Sequence, residues 1–390
     1  MAEQRRLHIL HVVRAGSASG GMETGIVNVA NALPSNRFRI SICALDSRET
    51  FSERIHRGDA EYHLLPKTTA GIEWGLIPKL SQLIRRARAD LVHSHNWGSF
   101  LYSVLAAKWA GVPVVHGEHG KNLGELNESN RPKTWAKQLL GRHIDRLVTV
   151  SQSLAAEWAA YGVPREKIEW IPNGVDTERF RPRVEKRELR RKFGLPEHDF
   201  VVGSVGRFDP IKNYDVLIQA FALFAPAFPG SRLAFLADGP LESDLRETAK
   251  RLGVMDRISW LGRRSDPQDF LPALDVFVLP SLSEGMSNVV LEAMASGMPV
   301  ICADLPAHRE VFQPGSEGIA VSPCNPRTLS EAITALLCDA DRRVSFCAAA
   351  RARVLAQFDL RHMISRYESL YTRYLGKEPM RAASDPLEQA

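Results

Sequence analysis

Cysteine is sparse and unpatterned in this sequence. Cys43, Cys302, Cys324, Cys338 and Cys347 are scattered through 390 residues with no CxxC pair. An odd, scattered set argues against a disulfide framework and points to reduced thiols in a cytoplasmic compartment. No apolar run approaches the roughly 18 residues of a spanning helix. The N-terminal MAEQRRLHILHVVRAG has too short an apolar stretch for a secretory signal and no small-residue cleavage site. A strong charge of one sign is missing as well: 50 Lys and Arg stand against 45 Asp and Glu, a formal net charge of +5. That mild excess suits phosphate-bearing ligands or an anionic membrane surface and selects neither. The basic stretch VEKRELRRK (184–192) lacks interleaved aromatics. It is expected to be solvated, and no nucleic-acid partner is implied. There is no internal repeat and no heptad array.

What is present is a long alternation of short apolar runs with helical patterns. Buried strands are expected at 7–13, 39–45, 89–95, 112–119 and 146–151, with helices such as Met22–Leu33 and Gly98–Ala110 between them. A stretch rich in Pro, Gly and charge, 170–196, reads as an interdomain connection. A second series follows at 199–208, 231–240, 258–262, 276–281, 298–304 and 318–323. Strand–helix–strand alternation implies parallel sheets with helices on both faces. The expected class is α/β: two doubly wound, Rossmann-like domains facing across a cleft at the carboxyl ends of their strands. The first spans about 1–178 and is joined by an amphipathic C-terminal helix near 360–376; the second spans 195–358; a polar tail, 379–390, is expected to fray.

The chemistry gathers in SEGMSNVVLEAMASGMPV (283–300). Glu284 falls on a loop after a strand, Ser287 and Asn288 are N-cap types, and Glu292 lies in the early turns of the following helix. The N–H groups near Gly285, Met286, Ser287 and Asn288 form an anion site at a helix N-terminus. Arg207 and Lys212, in VGRFDPIKN (205–213), follow another strand. A guanidinium fork and an ammonium suit a diphosphate. Gly20 and Gly21 precede a helix and allow close backbone approach to a phosphate or acceptor. His119 ends the strand of HGEHGKN (116–122); His95, ending VHSHN (92–96), reads either as facing the same cleft or as a structural histidine. No cysteine or carboxylate completes a metal-ligand spacing around these histidines.

Glu284 and Glu292 in this setting resemble the EX7E motif of the retaining glycosyltransferases of family GT4, which have the GT-B fold. The resemblance runs through SGGMET (19–24), IPNGVD (171–176), VGRFDPIKN, ADGP (237–240) and WLG (260–262), nearly the whole chain. It implies a metal-independent transferase that needs no cofactor and takes a UDP- or GDP-linked sugar. In that frame Arg207 and Lys212 clamp the donor diphosphate and Glu292 binds the ribose hydroxyls. Glu284 supports the transferred sugar, and His119 stands nearest the reacting sugar. Gly262 and Arg263 lie near the base. The chain also resembles bacterial exopolysaccharide-cluster transferases, which implies a sugar or lipid-linked sugar acceptor in cell-surface polysaccharide synthesis. A small soluble acceptor and a non-catalytic nucleotide-sugar-binding protein are the competing readings.

Three departures and decoys remain. Ala237 stands where the family usually has glycine, with a slight change of turn geometry expected. Asp339-Ala340-Asp341 spells a DxD, the metal–diphosphate signature of the other glycosyltransferase fold, but reads as an acidic turn at a helix end. The helix RPKTWAKQLLGRH (131–143) carries basic residues and a tryptophan that suit peripheral contact with the cytoplasmic membrane surface. The plainer expectation there is a surface helix with Trp135 and Leu139 packed inward.

Overall fold

The computed structural model describes residues 5–14, 20–46, 54–69, 71–120 and 131–375. Ser19, Lys121, Asn122 and the tail 379–390 therefore lie outside the described residues. The chain divides into two units. The first holds the described residues up to Gly120, 131 to Pro172, and Met363 onward; the second holds Asn173–His362.

The first unit is built on a seven-stranded sheet: β1 Leu7–Val13, β2 Phe38–Ala44, β3 Glu61–Leu64, β4 Leu91–His95, β5 Val114–Glu118, β6 Arg146–Thr149 and β7 Ile168–Trp170. Its order is β3-β2-β1-β4-β5-β6-β7, and every pairing is parallel. The second unit is a six-stranded parallel sheet: β8 Phe200–Arg207, β9 Ser231–Asp238, β10 Ile258–Trp260, β11 Val276–Leu279, β12 Val300–Ala303 and β13 Gly318–Val321. Its order is β10-β9-β8-β11-β12-β13. The doubly wound pattern expected from the apolar runs is present in both. β1 is buried at all seven positions, as a strand covered on both faces must be. β3 (EYHL) and β7 (IEW) escaped the sequence reading because they are edge strands, half-buried throughout, with no apolar run.

The helix Leu360–Thr372 buries Met363, Tyr367, Leu370 and Tyr371 along one stripe. Tyr371 joins His93 of β4 through a 2.6 Å hydrogen bond between its hydroxyl and Nδ1. Arg373 binds both carboxylate oxygens of Glu169 at 2.9 and 3.0 Å. These contacts make the C-terminal helix part of the first unit.

The change of unit falls at Pro172–Asn173, at the front of the expected connection, because most of 173–196 packs on the second sheet. The stretch expected to be solvated forms a helix, Lys186–Lys192, whose Arg190 is 4% exposed. Arg190 donates to the carbonyls of Ala273, Glu197 and Asp199 and to Asp275 Oδ2 at 2.5 Å. Asp275 also accepts from Val201 N at 2.7 Å and from Lys186 Nζ at 2.6 Å. One carboxylate thus ties the incoming segment to β8 and to the start of β11. Asp275→Ala strands a buried guanidinium. It is expected to lower stability by about 3 kcal/mol in urea unfolding, whereas a loss under about 1 kcal/mol would mean that the tie is redundant.

Candidate active site

In the second unit strand order reverses between β8 and β11, the position where open α/β sheets bind ligands at their carboxyl ends. Arg207 is the last residue of β8; it is exposed and unpaired among the described residues. Its backbone is set by a neighbour. Gly239, just after β9, has φ +146°, and a Cβ there would lie 2.8 Å from the backbone N and O of Phe208. Ala237 is still inside β9, so its departure from glycine leaves the turn at Gly239 untouched.

Beyond Arg207 the chain makes one turn, Pro210–Lys212, capped by Asp209, whose carboxylate accepts from Ile211 N at 3.2 Å. Leu282 N donates to Ile211 O at 2.8 Å, and the Asn213 amide binds the carbonyls of Pro280 and Pro323. These bonds hold the loop after β8 against the loop after β11. Lys212 Nζ then reaches Glu284 Oε1 at 2.7 Å, and Ser281 Oγ donates to the same oxygen at 2.8 Å. Burial acts to neutralise both partners, but each is held charged by the other: Lys212 lies above its ordinary pKa and Glu284 below. Glu284 Oε2 makes no hydrogen bond among the described residues.

Three contributors went unseen in the sequence: Ser281, Asn173 and His308. Asn173 donates its backbone N–H to Met286 Sδ and its amide to Met286 O, both at 3.2 Å, so IPNGVD anchors the Glu284 loop. Fully buried His308 shares an Nδ1–carbonyl bond of 2.7 Å with Ala303 and is electrostatically coupled to Glu284. Ser281, three residues before Glu284, is the one that spacing alone could have flagged.

Ser287 is the N-cap of the helix Asn288–Ala295, yet its hydroxyl makes no capping bond. The residue is 3% exposed and Oγ has no partner among the described residues. An orphaned hydroxyl at a helix N-terminus fits an anionic oxygen. Glu292 sits in the second turn of that helix, and burial raises its carboxyl to about 7 against an opposing Arg179. Gly262 takes a left-handed φ of 66° just after β10, with Arg263 exposed beside it. Asp339 of the DxD caps the helix Ala340–Gln357 by accepting from Arg342 N, as an acidic turn at a helix end should.

The first unit holds the remaining predicted residues. Gly20 caps the helix Gly21–Ala32, and the Glu23 carboxylate folds over it into the space a side chain there would need. The expected phosphate loop is thus covered by an internal acid, whose pKa burial raises. His95 is 2% exposed with both ring nitrogens engaged, by His11 and His119 at 3.0 Å each. Of the two readings of His95 the cleft-facing one is corrected and the structural one fits: β4 and β5 pair in register, and His95 lies beneath His119. His119 itself is half-buried, with its backbone N–H held by Asn96 Oδ1 at 2.8 Å. His11, His93 and His95 bring a ring nitrogen each within 4.8 Å of one another, a grouping that could hold a cation but has no anionic member. On the helix Arg131–Gly141 the expected packing is reversed. Trp135 and Leu139 are 65% and 49% exposed. Lys137 turns inward because buried Glu118 needs a counter-charge, 3.4 Å away.

Two family models cover the chain: Glycosyltransferase Family 4 matches residues 19–179, and Glycosyl transferases group 1 matches residues 185–353. A D-inositol 3-phosphate glycosyltransferase of Thermobispora bispora is 30% identical over 391 residues, covering 92% of this chain and 90% of that protein. The chain belongs to glycosyltransferase family 4. This glycosyltransferase is also 34% identical over 238 residues to the UDP-Gal:alpha-D-GlcNAc-diphosphoundecaprenol alpha-1,3-galactosyltransferase of Escherichia coli, covering 58% of this chain and 60% of that one. Its GT-B fold matches Anabaena HepE, solved in complex with UDP, at a TM-score of 0.83 and 21% identity, over 94% of this chain and 100% of that one.

Two outcomes follow for the unliganded glycosyltransferase. Lys212→Ala leaves Glu284 without its counter-charge and should cost about 1–3 kcal/mol of stability, most of it recovered in Lys212→Ala/Glu284→Gln. Equal losses in single and double variants, measured by chemical unfolding, would show that the pair is not coupled. Glu292 is raised to about 7 from an ordinary 4.5, so the folded chain holds the extra proton between those values. Stability should therefore fall as pH rises through that window, by roughly 1–3 kcal/mol, and Glu292→Gln should flatten the slope.

Proposed function

We propose that this glycosyltransferase moves a sugar from a UDP- or GDP-linked donor with retention of configuration and without a metal ion. The single observation that carries the reading is the Lys212–Glu284 pair at the β8/β11 reversal, beside the orphaned Ser287 hydroxyl. The donor diphosphate needs positive charge and N–H donors where its leaving charge develops. Arg207, Lys212, the N-terminus of the helix Asn288–Ala295 and Ser287 Oγ supply them, the role a divalent cation takes elsewhere. Lys212 serves both the diphosphate and Glu284, which keeps Glu284 ionised. The free Oε2 of Glu284 accepts from a sugar hydroxyl and lends negative charge to the oxocarbenium-like transition state. Glu284 Oε1 is already shared by two donors, which favours electrostatic support over a nucleophilic role. In the front-face route the departing phosphate oxygen takes the acceptor proton as the new bond forms on the same face. Glu292 accepts from the ribose hydroxyls, and neutral His119 contacts the transferred sugar.

The acceptor we infer is lipid-linked, in cell-surface or exported polysaccharide synthesis on the cytoplasmic face of the membrane. Exposed Trp135 and Leu139 beside Lys133 and Arg142 support contact with an anionic lipid surface. The Escherichia coli relative, named for a diphosphoundecaprenol-linked acceptor, supports the same choice. A small soluble acceptor is the second reading, favoured by the inositol phosphate in the name of the relative that spans most of the chain.

Glu284→Gln should lower transfer by about 100-fold or more under conditions where circular dichroism shows the variant folded, the lost counter-charge of Lys212 costing roughly 1–3 kcal/mol of urea stability. Turnover near wild type would remove Glu284 from the reaction. Melting the protein with UDP-, GDP-, ADP- and TDP-sugars in EDTA identifies the base, since only a bound ligand raises the midpoint. Transfer that vanishes in EDTA and returns with magnesium would overturn the metal-free reading.

A further inference from the structure

The first unit contains a hydrogen-bonded file of imidazoles that ends at His119. His11 Nδ1 meets His95 Nε2 at 3.0 Å, and His95 Nδ1 meets His119 Nε2 at 3.0 Å. The rings come from β1, from β4 and from the residue just after β5, so only the sheet register brings them together. They cannot turn freely. A Cβ on Gly117 would lie 3.0 Å from His119 Nε2, 3.1 Å from His93 Nε2 and 3.2 Å from His95 Nδ1, so the rings rest directly on that backbone. All are neutral near pH 7, because burial lowers His11 to about 3 and His119 to about 4 and holds His95 well below its ordinary value.

A neutral imidazole has one N–H and one lone pair. His95, engaged on both sides, must therefore donate in one direction and accept from the other. The file has only two polarities. Directed inward, it leaves an N–H on His11 Nε2, an atom that is buried with no partner among the described residues. Directed outward, it leaves only a lone pair there, and buried orphan donors are the rarer fault in proteins. The outward polarity puts the proton of each ring on Nδ1.

We propose that His11 and His95 are positioning residues that fix the tautomer of His119, so that it presents Nδ1–H as a hydrogen-bond donor and cannot act as a base. Resting on the reading that places His119 beside the transferred sugar, this deepens it: the group His119 recognises is an oxygen acceptor on the substrate. The inner histidines act without touching the substrate.

Full-length protein labelled with ¹⁵N-histidine provides the test. Long-range ¹H–¹⁵N correlations should show His11, His95 and His119 all protonated on Nδ1; protonation of His119 on Nε2 overturns the proposal. In kinetics, His11→Leu removes the innermost donor and should lower kcat by about tenfold with little change in KM, the size of one hydrogen bond. His11→Asn, which keeps a donor near the Nδ1 position, should restore most of it; equal losses in both variants point to packing alone and count against the proposal. Should His119→Ala turn over like wild type, the role of His119 in transfer falls, while the ring spectra still decide the tautomer. A variant that does not fold leaves the spectra of the unaltered chain as the deciding measurement.

Discussion

A parallel strand covered on both faces can present a solvated charge only where it emerges. That constraint governs both halves of this chain. Along β1 every side chain is buried, and β8 reaches its first charged, exposed side chain at Arg207. The reversal of strand order then decides which emerging ends stand side by side: β1 with β4 in one unit, β8 with β11 in the other. Lys212 and Glu284 are 72 residues apart in sequence and meet because of that reversal.

The electrostatics of the second site follow from its burial. A lone ammonium or carboxylate so enclosed would give up its charge, so neither Lys212 nor Glu284 could serve a reaction without the other. Glu292 shows the alternative. It has no comparable partner and drifts to about 7. Two acids of one motif, eight residues apart in sequence, thus hold different protonation behaviour because one was given a cation and the other was not.

Most of the fold was legible from the chain because buried parallel strands are written as unbroken apolar runs. β3 and β7 were not, being edge strands without such runs. The placing of Glu284 and Lys212 on loops after strands and of Ser287 at a helix start was legible because loop and cap chemistry is local. The histidine file was not, since spacing along the chain says nothing of register between strands. Nor could periodicity place Trp135 outside and Lys137 inside. That choice was made by buried Glu118, a residue on another element whose need for charge outweighed the pull of an indole. Asn173, and the coupling of His308 to Glu284, escaped for the same reason, as those partners lie on other elements.

The carboxyl of Glu292 has one more consequence. An acid poised near neutrality exchanges part of a proton with solvent whenever a neighbour stabilises one of its forms. Occupation of its surroundings is therefore a proton-coupled event. The heat of that event, seen in a calorimeter, would carry the ionisation enthalpy of whatever buffer surrounds the protein.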